Sequence, residues 1–376
     1  MTVEFRYAGR GDYPGISRFL DTYWAKDHAY VRLPQLFEWT FGREHLWQHD
    51  GYSFALAADK GEIVGILGGI PYVFNCLGST SLGVWTVNYM VRPDYRRGAT
   101  ALRLLDMFRR SFSATVSFGN NTEIVPLYRA LRARLLMDMP RHFTVLPNAV
   151  GRMVNLLQLT YPDWSSQRAE ELAHAFSRID VPQTSVPSSN TLPATWDTHD
   201  WSCLAPRMIG AVRDLNYLTW RYSAHPCFQY RFLTAPEGDR TGLVVWRLET
   251  IRRDTPQGLV EVDRIGRLVE FLPASRDNAE VLLSLFWRAL TEADAIGADY
   301  YNYHGESRMW LLDLGFPATN SHPDGQAIPS RFQPLESKGG RILSTIFVPA
   351  SVPLCSDDPQ CNWYWSKSDS DQDRPN

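Results

Sequence analysis

The chain has 376 residues, 44% of them hydrophobic, ample for two buried cores at roughly 100–200 residues per domain. Its 38 basic and 41 acidic side chains leave a formal charge of −3, which argues against a protein held to nucleic acid by whole-surface charge, because phosphate binding needs a clustered basic face. The five cysteines, Cys76, Cys203, Cys227, Cys355 and Cys361, are scattered and form no CxxC pair, so neither a disulfide framework nor a zinc ribbon is indicated.

Residues Met1–Tyr7 lack the basic-then-apolar layout of a secretory signal. The longest apolar stretch, 63–74, is broken by glycines and a proline and falls short of the roughly 20 residues that a bilayer span needs. The expectation is a soluble, cytoplasmic chain with reduced thiols and no membrane partner.

Val3, Phe5 and Tyr7 alternate with polar residues and predict a strand. Gly11-Asp12-Tyr13-Pro14 then starts a helix carrying Ile16, Phe19, Leu20, Tyr23 and Trp24, and 33–41 predicts a second short helix. Strands are expected over 52–58 and 62–75 around the turn Asp59-Lys60-Gly61, and over 84–91 up to Pro93. Apolar residues at 101, 104, 105, 108 and 112 stripe one helix face. A strand follows over 114–118 and a helix over 122–137. The segment 181–200 is rich in Pro, Ser and Thr and predicts a linker, and the polar, acidic tail from about Ser356 predicts a flexible end.

The two halves repeat each other at consistent spacing. Leu36–Phe41 matches Tyr217–Tyr222; 54 positions separate Trp39 from Pro93, and 53 separate Trp220 from Pro273. Tyr128 lies 89 positions after Trp39, and Leu311 lies 91 after Trp220. Three matches in register indicate a duplicated unit of roughly 130–150 residues, set against two unrelated α/β domains with common spacings.

The chemistry concentrates in Val91–Leu102. A strand ends at a proline, a tight basic turn follows, and an amphipathic helix begins. A helix N-terminus presents unpaired N–H groups and a positive dipole end, small residues let an anion approach, and Arg96 and Arg97 add charge, which together suit a pyrophosphate. The competing reading is a solvated basic turn before an ordinary helix. No Walker lysine motif or GxGxxG loop is present at this site.

This segment resembles the acyl-CoA-binding motif of the GNAT acyltransferases, Arg/Gln-x-x-Gly-x-Gly/Ala, with Arg96, Arg97, Gly98, Ala99, Thr100 and Ala101 in its six places and Ala99 where the family prefers its first glycine. A second family motif, Asn-x-x-Ala-x-x-Leu-Tyr-x-x-x-Gly-Phe, is met by Asn121, Leu127 and Tyr128, with Ile124 in the alanine place and Arg132-Ala133 in place of Gly-Phe. The second half keeps Gly315-Phe316 but has Leu311 for the tyrosine and no glycine turn after Pro273. The resemblance implies an α/β (α+β GNAT-like) fold of two tandem mixed-sheet domains, the second degenerate. Its parts would be 1–150 for CoA binding, 151–200 as helical connection and linker, 201–350 shaping the substrate cleft, and 351–376 as tail. The tandem layout is also similar to Fem-type aminoacyltransferases.

On this resemblance the activity is N-acyl transfer, acetyl transfer first, from acetyl-CoA or another acyl-CoA to the primary amine of a small molecule, with a nucleotide-linked amino sugar as the first acceptor. Tyr128 would give a proton to the leaving thiolate, a role its neutral phenol suits. The backbone of the strand Asn88–Val91, Met90 and Val91 included, would bind the pantetheine arm and polarise the thioester carbonyl, and the residues 96–101 and Asn121 would hold the rest of the coenzyme. The strand offers no carboxylate as base. His28 is the first candidate, since histidine takes a proton near neutrality. Against it stands a surface helix-end histidine. Glu261, Asp263, His142 and His304 are weaker candidates, and a bound water is another. The histidines show no metal-ligand spacing, so no metal is expected. The alternatives are a Fem-like transferase fed by aminoacyl-tRNA and a non-catalytic CoA- or partner-binding protein; the −3 charge gives the former no support.

Overall fold

The computed structural model describes residues 3–136, 139–181, 191–236, 241–336, 342–353 and 362–375. The first half runs β1 (Glu4–Ala8), α1 (Tyr13–Phe19), α2 (Ala29–Arg32), α3 (Pro34–Phe41), β2 (Tyr52–Asp59), β3 (Glu62–Cys76) and β4 (Ser79–Val91). It continues with α4 (Thr100–Ser111), β5 (Ala114–Phe118), α5 (Val125–Ala130), β6 (Arg134–Leu136) and β7 (Arg141–Val145). Two connecting helices follow, α6 (Val150–Thr160) and α7 (Ser166–Ala175). The second half runs α8 (Ser202–Leu204), β8 (Ile209–Ala211), α9 (Leu215–Leu218), β9 (Arg231–Leu233), β10 (Leu243–Thr255), β11 (Gly258–Leu272), α10 (Arg276–Glu292), β12 (Gly297–Tyr303) and α11 (Gly305–Asp313). It ends with the hairpin β13 (Arg331–Phe332) and β14 (Leu335–Glu336), then β15 (Ser344–Phe347) and β16 (Trp363–Ser366).

The hairpins form where the sequence permits left-handed backbone. Lys60-Gly61 and Leu77-Gly78 both have positive φ, the geometry of a two-residue turn that matches strand twist. The helix α4 forms where the apolar stripe predicts it, burying Leu104, Leu105 and Phe108 against β3 and β4. The helix expected over 122–137 stops at Ala130. Arg132 adopts φ +60°, the Ala133 N–H bonds the Tyr128 carbonyl at 2.9 Å, and the chain turns into β6. Arg132 thus occupies the left-handed position that the motif gives to glycine.

Among the described residues the main sheet has 14 strands and the order β6-β15-β5-β4-β3-β8-β16-β12-β11-β10-β9, with β2 also on β3, β1 on β2, and β7 on β12. The duplication is visible in the element order β3-β4-α4-β5-α5 and β10-β11-α10-β12-α11. Trp39 and Trp220 meet at the repeat interface, stacked at 4.8 Å and 18°, and each indole N–H donates to the other's carbonyl, at 3.2 and 3.5 Å. Reciprocal contacts of this kind are what a two-fold relation between repeats produces.

Three expectations are corrected here. The boundaries at 150 and 201 are crossed by strand exchange: β15 lies between β5 and β6 of the first half, and β7 pairs with β12 of the second. The helices α6 and α7 pack into the second half's core through Met153, Leu156, Leu157 and Leu172. Of the expected linker, 182–190 lie outside the described residues, while Trp196 and Asp200 are buried. Of the expected flexible tail, 354–361 and 376 lie outside the described residues, but 362–375 run through the middle of the molecule. There β16 joins the half-sheets by pairing with β8 and β12. Arg213, fully buried, donates to Glu270 at 2.7 Å and to Asp369 at 2.8 Å, and Arg247 donates to Asp373 at 2.8 Å. Composition marks the tail as polar; partners more than 100 positions upstream make it buried.

Candidate active site

The strands β4 and β5 run parallel and in register only over Gly83–Trp85 and Ala114–Val116. Beyond that they diverge, since β4 stays with β3 through Val91 while β5 follows β15 through Phe118. Among the described residues no strand pairs with the β5-facing edge of β4 past Trp85, so the fork exposes main-chain groups to whatever enters it.

A bulge in β4 sets the opening. Ile66 faces Met90 but Gly68 faces Val87, and within the extra length Asn88 adopts φ +50°. Asparagine tolerates that conformation better than most residues. The Asn88 side chain is 4% exposed, and neither its Oδ1 nor its Nδ2 has a hydrogen-bond partner. A buried amide left wholly unpaired costs about 1–3 kcal/mol per group, so its presence at the fork calls for a ligand or solvent partner.

Below the fork, α4 points its N-terminus outward with no side-chain cap. Gly98 is exposed, and a Cβ built there would meet nothing within 4 Å, so packing does not demand glycine at this position. Arg96 folds back, its Nε donating to the Val91 carbonyl at 2.9 Å and its Nη2 reaching the Met90 sulfur at 3.5 Å. Among the described residues neither Arg96 nor Arg97 has a carboxylate partner, whereas Arg92 is held by Asp94 and Glu62. Ala99 and Thr100 flank the helix start, Ala101 accepts a hydrogen bond from Tyr89 at 2.5 Å through its carbonyl, and Asn121 caps the turn into α5 through Glu123 N–H.

Tyr128, 2% exposed, lies on α5 with its phenol near Ser117 of β5 and Thr345 of β15. Burial raises its pKa and those two hydroxyls oppose the rise, so the phenol stays protonated at neutral pH. Tyr128 shares an apolar cluster with Val91 of β4 and Leu104 of α4, and Tyr89 and Ala101 pack against it. His28 is held elsewhere, as the N-cap of α2. Its Nδ1 accepts from Tyr30 N–H at 3.2 Å, and burial lowers its pKa to about 4. The nitrogen that would take a proton is already occupied by the backbone. His304 likewise caps α11 through Nδ1, Asp263 is paired with Arg152 and Glu261 with Arg252. Sequence reasoning gave the Asn88–Val91 backbone a role but missed the Asn88 side chain; its only signal was an asparagine amid the apolar strand Val84–Val91.

The second half has the same fork, closed. The strands β11 and β12 pair over Gly266–Leu268 and Ala298–Tyr300 and then part, and the tail fills the gap. Tyr364 bonds Glu270 at 2.7 Å and Phe271 N–H at 3.1 Å, while Ser368 donates to Val269 at 3.3 Å. The Ser275 side chain caps the N-terminus of α10 by accepting from Asn278 N–H. Leu311, buried, stands where Tyr128 stands in the first half.

A cavity of about 690 Å³ opens between the lobes. Its wall runs from Gly119 at the end of β5, across Gln372, Asp373 and Arg374 of the tail, to Arg247, Glu249, Arg267, Tyr301 and Lys367. Among the described residues no group of three or more metal-ligating side chains occurs, and no helix is long and apolar enough to cross a membrane.

Comparison with protein-family models finds no match, and neither does comparison with curated proteins. Solved structures do match. Yeast (Saccharomyces cerevisiae) N-myristoyltransferase with bound myristoyl-CoA superposes with a TM-score of 0.56 at 11% identity, over 96% of this chain and 83% of that one. A conserved protein of unknown function from Enterococcus faecalis V583, a probable N-acyltransferase, gives 0.51 at 12% identity, over 92% of this chain and 72% of that one. The chain therefore has the GNAT-type α/β fold in a tandem, two-lobe layout.

Proposed function

We propose that the protein is an acyl-CoA-dependent N-acyltransferase acting in a ternary complex. The observation that carries this reading is the open fork: one half has the unpaired β4 edge, the orphaned Asn88 amide and the uncapped α4 N-terminus, whereas in the other the tail fills the strand gap and Ser275 caps the helix. The pyrophosphate of the coenzyme would rest on the amides of 98–101 beside Arg96 and Arg97, and the pantetheine arm along Met90 and Val91. Asn88 would hydrogen-bond the arm or the thioester oxygen, and the main-chain N–H groups of the fork would stabilise the oxygen as it gains charge. Tyr128 would protonate the departing thiolate.

Acetyl is the first acyl group to try. The buried rings of Trp85, Tyr72, Trp365 and Phe118 form a chain of contacts beside β4 and β5, at 3.9, 6.5 and 5.3 Å, and packed rings of this kind support a short acyl group over a long one. The charged wall of the cavity supports a polar acceptor, with a nucleotide-linked amino sugar retained as the first class to try. The test is thiol release from acetyl-CoA over a panel of primary amines. Asn88→Ala is expected to lower kcat/KM by about 10- to 100-fold, on the scale of one lost transition-state hydrogen bond. Binding of acetyl-CoA without turnover of any amine would point to a CoA-binding protein instead.

A further inference from the structure

Acyl transfer to an amine needs a group that removes the acceptor's proton, and β4 carries no carboxylate over Val84–Val91. The interlobe cavity supplies a different chemistry. Three carboxylates on and behind its wall are already matched by three arginines. Glu249 lies 2.8 Å from Arg247 and 3.3 Å from Arg267, Asp373 lies 2.8 Å from Arg247, and Asp299 lies 2.9 Å from Arg267 and 3.1 Å from Arg141. At the rim, Arg331 pairs with Glu336 and Arg374 with Asp371. Lys367 stands outside this balance. Its Nζ lies 4.8 Å from the centroid of the Tyr301 ring, and among the described residues no carboxylate is within ion-pair distance. Protonating it adds one uncompensated positive charge to the wall.

The ring system of the tail ties this residue to the fork. Trp365, two positions before Lys367, meets Phe118 at the end of β5 at 5.3 Å. Gln372 donates to the Phe118 carbonyl at 3.4 Å and lines the same cavity as Lys367. Burial, then the neighbouring Arg267, lower the Lys367 pKa to about 7, against the partial opposition of Asp299, Asp373 and Glu249. The chain has 34 arginines and four lysines, and arginine cannot release a proton at working pH, so lysine here is a chemical choice rather than a habit of composition.

We propose that Lys367 is the general base for the acceptor, a role that rests on the acyl-transfer reading above. The acceptor ammonium gives one proton to the neutral Lys367 amine. The freed amine attacks the thioester carbonyl, forming the C–N bond; the C–S bond then breaks. The second proton leaves the new amide nitrogen as Tyr128 protonates the thiolate and is itself reprotonated. Lys367 returns its proton to solvent through the cavity. The products are the amide, CoA thiol and one proton.

Two measurements test this. The first follows trace acetic anhydride labelling of wild-type protein between pH 5 and 10 by peptide mass spectrometry, with the exposed Lys26 and Lys60 as references. Half-maximal reactivity of Lys367 is expected near pH 7, about three units below an ordinary lysine; titration together with Lys26 and Lys60 overturns the proposal. The second compares Lys367→Arg and Lys367→Met. Both are expected to lower kcat on the order of 100-fold with the fastest amine of the panel and to abolish the rise of kcat/KM with pH through 7, while acetyl-CoA binding by calorimetry persists. Retained kcat in Lys367→Arg would make the residue a charge anchor and overturn the base assignment alone. Absence of acetyl-CoA binding to wild-type protein would overturn the acyl-transfer reading and the base with it.

Discussion

Gly98 separates a ligand's demand from the fold's. Nothing lies within 4 Å of a Cβ there and its backbone is not left-handed, so Gly98→Val should leave the melting temperature unchanged. The same substitution puts three carbons over the amides that would hold a pyrophosphate, and acetyl-CoA affinity should fall at least 10-fold by calorimetry. Unchanged affinity would move the phosphates elsewhere. Tyr128→Phe should keep acetyl-CoA binding and lower kcat about 10- to 100-fold, the scale of a lost general acid. The residues of this site were partly legible in sequence. Arg96–Ala101 and Tyr128 stand in two spaced motifs, because a phosphate cradle and a helix start are local features. The Asn88 side chain and Lys367 were not, since a buried amide without a partner and an amine without a carboxylate beside it are properties of the packed molecule. His28 looked like a base because it follows a helix; the structure makes it the start of the next one, with its lone pair committed to Tyr30.

At the scale of elements, most strands and α4 followed from alternation and helical spacing. The departures have local physical causes. The helix expected to 137 ends where Arg132 takes a left-handed backbone, which favours glycine; Arg132→Gly should raise stability by about 1 kcal/mol in urea unfolding. The tail departs for a nonlocal reason. Ser366–Asp373 reads as a solvated run, yet Asp369 meets a fully buried arginine. Breaking such a pair from one side strands the other charge, so Asp369→Ala should cost about 3–5 kcal/mol. A loss within the few tenths typical of a surface site would show that the tail does not bind the half-sheets together.

For the whole molecule, duplication plus strand exchange makes one cooperative body. Spacing alone disclosed the duplication, through Trp39, Trp220 and the matched prolines; the exchange of β7 and β15 left no mark in the pattern, because which distant strand a segment pairs with is decided in the folded chain. A further prediction belongs at this scale. His28, His142 and His304 have pKa values lowered to about 4, and His225 to about 3, in each case by burial first. Their neutral forms fit the fold, so the stability they contribute is present above the unfolded value near 6.5 and is lost as pH falls from there towards 4. Thermal melts should drop steeply across that window. A flat profile between pH 6.5 and 4 would contradict the burial of these rings.

The asymmetry between the two forks is most directly tested by isothermal titration of the full chain with acetyl-CoA. Saturation at one coenzyme per chain is predicted, because only the first half keeps an uncapped helix and an empty strand edge. Two equivalents per chain, or no heat of binding at all, would contradict the account.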